Sequence, residues 1–332
     1  MATIQEVAKL ANVSVATAYK VFSDTYTTEA QNTQRVLQAA KILGYVPKKK
    51  ERHPSRDYKL IALLFSEASN EFNTTLIRTL TKKFSHFQFR VVVMYSNEND
   101  ETEAQNFRMA LDLDVDAVIY ATVSGKRHEY ADKLIERGIP IVQLFAPVYP
   151  QLNTIVFDDA LGTYLATKAL LQTGHRRILM LYRSRDCMPR REPGYIKAFE
   201  EFNVPVDARF LFHLDLESSI KLILKKKIDE LKPTAIISVN EPISIETIQV
   251  LKEAKMNVPE DISLIIYDDL SWAAASGYTT VAHPFDQVGT VCRNLILSMM
   301  QKKGNSQAEQ APAKLVIEPM VILRDSVKSV KN

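Results

Sequence analysis

Residues Leu60-Ile61-Ala62-Leu63-Leu64-Phe65 are six apolar positions in a row with no polar interruption. A strand with one wet face alternates apolar and polar side chains. An unbroken run of this length suits a strand buried on both faces, and therefore a sheet covered by helices on each side. The chain repeats the theme downstream. A helical pattern carrying Phe72, Leu76, Leu80 and Phe84 leads to an extended stretch over 89–95, and a helix over 102–111 leads to Ala117-Val118-Ile119-Tyr120. A further helix ending at Gly138 leads to Pro140-Ile141-Val142-Gln143-Leu144. After Asp158 the rhythm resumes, with helices over 161–171, 194–202, 218–231 and 245–254 alternating with strands over 178–181, 210–214, 235–239 and 262–267. Strand and helix in this order predict an α/β core over 58–332, built of two parallel-sheet subdomains. Ligands of such sheets bind in a cleft beyond the carboxyl ends of the strands.

Ahead of residue 58 the pattern is purely helical. Thr3 followed by Glu6 is a capping box, and Ile4, Val7, Ala8, Leu10 and Ala11 give the first helix an apolar face. Asn12-Val13 breaks it, and Ser14 can cap a second short helix running to about Phe22. In that helix Ala18, Val21 and Phe22 face inward, while Val15, Ala16, Tyr19 and Lys20 face out. A third helix, capped by Thr28-x-x-Gln31, uses Val36, Leu37, Ala40 and Leu43 and ends at Gly44. The first two helices have the helix-turn-helix arrangement, whose second helix enters the DNA major groove. A helical hairpin in any small bundle shows the same periodicity. Charge separates these readings better than periodicity does. Residues 1–56 carry nine Lys/Arg against four Asp/Glu, a net of +5, so a chain of net +3 leaves −2 for the rest. Positive charge gathered on a short segment is the footprint of phosphate contact, although a solvated basic arm has the same composition.

Other function classes lack their raw material. With nine glycines in 332 residues, no Gly-x-Gly-x-x-Gly follows the first strand, and neither a phosphate loop nor a Gly-x-Ser-x-Gly elbow occurs. No enzyme activity, cofactor or metal site is expected. Cys187 and Cys292 are far apart and lack metal-ligand spacing with the histidines, which fits thiols in a reducing cytoplasm. No charged start followed by an apolar run suggests export, and no apolar stretch reaches membrane length. A cytoplasmic protein is the expectation.

The segment Thr3-Ile4-Gln5-Glu6-Val7-Ala8-Lys9-Leu10-Ala11-Asn12-Val13-Ser14-Val15-Ala16-Thr17, with Leu43-Gly44-Tyr45-Val46-Pro47 after it, closely resembles the N-terminus of LacI/GalR-family bacterial transcription regulators. The likeness continues in Asp158-Asp159 with Gly162, and in Gly174-His175-Arg176-Arg177-Ile178. It includes Val258-Pro259-Glu260-Asp261-Ile262-Ser263-Leu264 with Tyr267-Asp268-Asp269, then Thr279-Thr280-Val281, Pro284 and Gly289, and it reaches Arg324-Asp325-Ser326. Read alone, His175 is a surface or capping residue, and Asp268-Asp269 is equally a helix cap.

The resemblance implies a ligand-responsive repressor that binds a pseudo-palindromic operator as a homodimer. It implies a headpiece over 1–47, a hinge over 48–57 and an effector-binding and dimerisation core over 58–332 with a periplasmic-binding-protein-like architecture. Val15, Ala16, Tyr19 and Lys20 would face base edges, and Thr3, Ser14 and Thr17 would position phosphates. The family hinge inserts a leucine into the minor groove, where this chain has Pro54. Proline disfavours a helix there, so Lys48, Lys49, Lys50, Arg52 and Arg56 are expected to hold DNA through phosphates instead. A simple flexible tether is the plainer reading of the same run.

The family's Arg-x-x-Gly-aromatic motif matches Arg191-Glu192-Pro193-Gly194-Tyr195 and makes Arg191 an effector ligand. Asp268 matches a hydroxyl-binding aspartate. Ser66, Ser69 and Phe72 follow the first strand, where the family lines its cleft, and Asn240-Glu241 occupies an Asn-Asp position. Phe145 stands where several sugar-binding members have aspartate, and Ile266 replaces a usual glycine. A carbohydrate or sugar derivative is the implied effector. The alternative is a stand-alone sugar-binding protein, against which the helix-turn-helix speaks. No leucine heptads follow Ser326, so a tetramer built on a C-terminal coil is not expected.

Overall fold

The computed structural model describes residues 2–22, 30–45, 56–67, 70–85, 88–122, 125–182, 191–214, 219–302 and 311–330. The chain divides into two compact units, Met1–Arg56 and Asp57–Asn332.

The first unit holds helices α1 (Ile4–Ala11), α2 (Val15–Phe22) and α3 (Ala30–Ile42). Its capping box is complete: Glu6 Oε2 accepts the Thr3 N–H at 2.7 Å, and Thr3 Oγ1 accepts the Glu6 N–H at 3.4 Å. Asn12 ends α1 at φ 52°, a left-handed position that short polar side chains tolerate. Ser14 Oγ then accepts the Thr17 N–H at 3.0 Å to start α2. Ile4, Val7, Ala8, Ala11, Ala18, Val36, Ala39 and Ala40 form a thin core. Leu10 and Leu37, assigned to apolar faces by periodicity, are 50% and 51% exposed. The buried stripe of α1 is already filled by Ile4, Val7, Ala8 and Ala11, and Leu10 lies about 100° round from Ala11. The Thr28 cap lies outside the described residues.

The second unit begins with β1 (Lys59–Phe65), α4 (Glu71–Phe84), β2 (Phe89–Tyr95), α5 (Asp100–Asp112), β3 (Ala117–Ala121), α6 (Glu129–Glu136), β4 (Ile141–Leu144) and β5 (Asn153–Phe157). The chain then builds a second sheet with α7 (Asp159–Gln172), β6 (Ile178–Tyr182), α8 (Glu192–Glu201), β7 (Leu211–His213), α9 (Ile220–Leu231), β8 (Ala235–Ser238), α10 (Glu241–Glu253), β9 (Ser263–Tyr267), α11 (Ser271–Ala275) and β10 (Thr279–Ala282). Helix α12 (Phe285–Lys302) and strand β11 (Lys314–Ile317) return to the first sheet, and β12 (Met320–Ile322) closes the second.

The strand orders are β11-β5-β4-β3-β1-β2 and β12-β10-β9-β8-β6-β7. Every pairing is parallel except β10 with β12. The chain thus crosses between subdomains three times, after Phe157, after Ala282 and after Ile317, which strand–helix alternation alone did not foretell.

The apolar run of β1 is buried on both faces. Ile61, Leu63 and Phe65 pack with Leu76, Leu80, Val288, Cys292 and Ile296 of α4 and α12, whereas Ala62 and Leu64 pack with Phe107, Ala110, Ala131 and Leu134 of α5 and α6. Each fully buried Leu, Ile or Phe contributes about 1.5–3 kcal/mol. Burial pushes the Cys292 thiol up to about 12, so it acts as an inert apolar group. Cys187 lies outside the described residues. Among the described residues, no helix is long and apolar enough to cross a membrane.

Candidate DNA interface and effector cleft

On α2 the burial pattern separates an inner from an outer face. Ala18 is fully buried, while Val15 and Tyr19 are 39% and 59% exposed and Ala16 is also exposed. Ser14 and Thr17 sit at the start of this helix with their hydroxyls 2.8 Å apart. Thr3 is exposed at the start of α1. Apolar and aromatic side chains that remain in solvent beside a helix N-terminus can contact thymine methyls and base edges. Arg56 is half-buried. The side chain of Lys20, and Lys48, Lys49, Lys50, Arg52 and Pro54, lie outside the described residues.

In the second unit, residues that follow the carboxyl ends of strands in both sheets come together. Ser66 follows β1 and receives a 3.4 Å contact from Asn73 Nδ2. Phe72 lies in the first turn of α4 and packs against the rings of Phe145, Phe157, His283 and Phe285 at centroid distances of 5.7, 6.3, 6.0 and 5.1 Å. Phe157 and His283 stack at 4.0 Å. On its other side His283 places Nδ1 2.7 Å from Asp268 Oδ1, and both side chains are buried. Phe145 and Asp268 end β4 and β9, and each has φ 69°. A non-glycine residue held in the left-handed region costs of order 1 kcal/mol or more, and such strain gathers at ligand sites.

Arg191 is the N-cap residue of α8. Its Nε and Nη2 reach Asp159 Oδ1 at 2.9 and 2.8 Å, its Nη1 donates to the Val239 carbonyl, and its guanidinium lies 4.5 Å over the Tyr267 ring. Burial works against the charge, but Asp159, Tyr267 and Asp268 outweigh it and raise Arg191 above its ordinary value. Tyr267 is fixed in turn by the Thr163 hydroxyl at 2.6 Å. Asn240 caps α10 by accepting the Ile243 N–H at 3.0 Å. Next to it, Glu241 Oε2 accepts the Glu71 N–H at 2.8 Å, and Glu71 Oε1 accepts the Ser271 N–H at 3.0 Å. These last bonds join α4 of the first subdomain to α10 and α11 of the second.

The structure therefore links Phe72, Phe145, Arg191 and Asp268 through shared neighbours, and leaves Asn240 as a cap and Ser66 at the foot of the β1 loop. Ser69 lies outside the described residues. Sequence reasoning missed Phe157, Asp159, His283 and Phe285. The Asp158-Asp159 pair and the His283-Pro284 step adjoin motifs that were legible, and these were the available signals.

Residues 3–48 match the model of bacterial regulatory proteins of the lacI family, and residues 167–327 match a periplasmic binding protein-like domain. The chain thus carries a lacI-family DNA-binding domain ahead of a periplasmic-binding-protein-like domain, the pairing found in its relatives, which are lacI-family transcription regulators. It is similar to the transcriptional regulator DegA of Bacillus subtilis (strain 168), 28% identical over 341 residues that cover 99% of each chain. It is similar along its whole length to the ribose operon repressor of Haemophilus influenzae, 24% identical over 340 residues with 100% of each chain covered. A solved structure of the lac repressor dimer bound to operator and the anti-inducer ONPF shares the fold, with TM-score 0.67 at 18% identity over 99% of each chain. By these matches the chain is a DNA-binding transcription regulator, and its relatives are regulators, not enzymes.

Proposed function

We propose that the chain is a cytoplasmic repressor that binds a pseudo-palindromic operator as a homodimer and is controlled by a carbohydrate effector. Residues 1–47 read DNA, 48–57 form the hinge, and 58–332 bind effector and pair the subunits. Val15, Ala16, Tyr19 and Lys20 face base edges, Thr3, Ser14 and Thr17 position phosphates, and Lys48, Lys49, Lys50, Arg52 and Arg56 follow the backbone. In the cleft, Arg191, Asp268, Ser66, Ser69 and Asn240 supply polar contacts. Phe72 and Phe145 offer ring faces to the C–H side of a sugar, an arrangement suited to a ligand with apolar faces and polar edges.

The observation that carries this reading is the exposed outer face of a Ser14-capped α2 beside a buried Ala18. The ribose operon repressor among its relatives favours the carbohydrate class. The test is selection of duplexes from a random library by the full chain, followed by fluorescence anisotropy with a panel of pentoses, hexoses and disaccharides. A two-fold-symmetric site whose affinity shifts with one sugar is expected. No preferred duplex would overturn the repressor reading, and a response to purines but to no sugar would overturn the effector class.

A further inference from the structure

A second constellation of polar side chains lies at the ends of β2 and β3. Asp100 and Glu103 occupy the first turn of α5, three residues apart and so on one face of the helix. His128 is the N-cap residue of α6, yet its side chain makes no capping bond. Its ring points to the carboxylates instead: Nε2 lies 2.8 Å from Glu103 Oε1 and 3.6 Å from Asp100 Oδ1. One ligand atom from each of the three residues lies within 4.8 Å of the others. Glu103 and His128 are only 2% and 8% exposed, whereas Asp100 opens towards solvent.

The surroundings hold this geometry. Tyr149 Oη accepts the His128 N–H at 2.6 Å, the Phe107 ring lies 5.7 Å from the imidazole, and Thr122 Oγ1 donates to Glu103 Oε1 at 3.3 Å. Lys126 Nζ sits 3.1 Å from the outer oxygen of Asp100.

We propose that Asp100, Glu103 and His128 bind a divalent transition-metal ion of the Zn2+ or Mn2+ class. Ligand bonds of about 2.0–2.2 Å put neighbouring ligand atoms roughly 3–3.5 Å apart around the ion. The 2.8 and 3.6 Å spacings bracket that range before any ion enters. One imidazole and two carboxylates suit Zn2+ or Mn2+, whereas Ca2+ and Mg2+ take oxygen ligands almost exclusively. Lys126 brings positive charge to one oxygen of Asp100, and His128 faces the other. A dication adds positive charge at the centre of the trio, between the two carboxylates and the imidazole. Water on the Asp100 side completes the coordination, and the ion ties the first turn of α5 to that of α6. The residues are spaced 3 and 25 apart in sequence, so no motif announces them.

The test uses the untagged full chain, stripped with chelator and titrated with Zn2+ or Mn2+ alone by calorimetry, with Co2+ absorption as a check on nitrogen ligation. One ion per chain is expected. Asp100→Asn, a conservative change at a partly exposed position, should weaken binding by at least about 10-fold while the chain stays folded by circular dichroism. Glu103→Gln and His128→Gln should abolish it. Absence of binding at millimolar Zn2+ and Mn2+, or binding unaltered in Asp100→Asn and His128→Gln, would show that the trio is an ion-pair network only.

Discussion

Gly194 provides a test in which two physical effects have opposite signs. It lies in the first turn of α8, three residues after Arg191, and its φ is not left-handed. By helix propensity alone, Gly194→Ala should stabilise the protein by about 0.8–1 kcal/mol. The structure predicts the reverse. A Cβ at this position would lie 2.7 Å from the Tyr164 nitrogen and 2.8 Å from the Ala160 carbonyl carbon, and closer still to the Ala160 oxygen. These atoms are backbone of α7, so no side chain can swing aside. Forcing one methyl group into a tight contact costs about 1–3 kcal/mol, and a backbone-to-backbone contact belongs at the upper end. At about 2–4 °C per kcal/mol for a domain of this size, the melting temperature should fall by roughly 6–12 °C. The displacement also moves Arg191 from Asp159, so operator binding should respond less to effector. Calorimetry of wild type and variant, with anisotropy on the selected operator, measures both effects. A variant that melts at or above the wild-type temperature with its ligand response intact would refute the claim that α7 and α8 require glycine there.

Tyr19→Ala should leave stability within about 0.5 kcal/mol, because the ring is exposed, while reducing operator binding by about 1–3 kcal/mol. An equal loss on random duplex would assign Tyr19 to the backbone. Arg191→Ala strands the buried Asp159 carboxylate and should cost about 3 kcal/mol together with the ligand response. Adding Asp159→Ala should recover stability but not the response, and recovery of both would remove Arg191 from the site. His175 is buried between Thr234 Oγ1 and the Lys328 carbonyl, each at 3.0 Å, and burial lowers its pKa below the ordinary 6.5. The unfolded chain therefore binds the proton more readily, and the stability present above about pH 6.5 is lost as pH falls towards the lowered folded value. Melting temperatures from pH 7.5 to 5.5 should decline more steeply in wild type than in His175→Gln, and parallel slopes would place the acid-sensitive group elsewhere.

What the sequence made legible is what depends on neighbours along the chain. The unbroken β1 run, the Thr3–Glu6 box and the Ser14 cap are local, and each appears in the structure. The arginine motif was legible as a pattern, but its glycine has a packing cause visible only once α8 lies on α7. Helix α12 has apolar residues at the four-residue spacing of Val288, Cys292 and Ile296, yet nothing in that spacing says it serves the first sheet and not the second. The cleft was harder still. Phe72 and His283 are brought together by two different subdomains, and Phe145 and Asp268 take left-handed conformations without the glycine that usually signals one. Asn240 spends its Oδ1 on the backbone of its own helix, so a ligand contact there falls to its Nδ2, a division the sequence does not announce.

The bonds across the cleft explain how a small ligand could govern this unit. Glu241 accepts from the amino end of α4, and Glu71 from the amino end of α11, so each carboxylate meets the positive end of a helix in the opposite subdomain. A hydrogen bond to a charged group is worth about 1.5–3 kcal/mol. Against that stands desolvation, which pushes Glu241 above the ordinary carboxylate value and shows that burial here penalises its charge. The two contributions oppose one another, so the joined arrangement has a smaller net advantage than its hydrogen bonds alone would give. An element balanced in this way responds to a differential affinity of only about 1–3 kcal/mol, within reach of one bound effector. The ring contacts of Phe72 and Phe157 with His283 span the same two subdomains, so an effector that seats beside them acts on both the polar and the aromatic contacts at once.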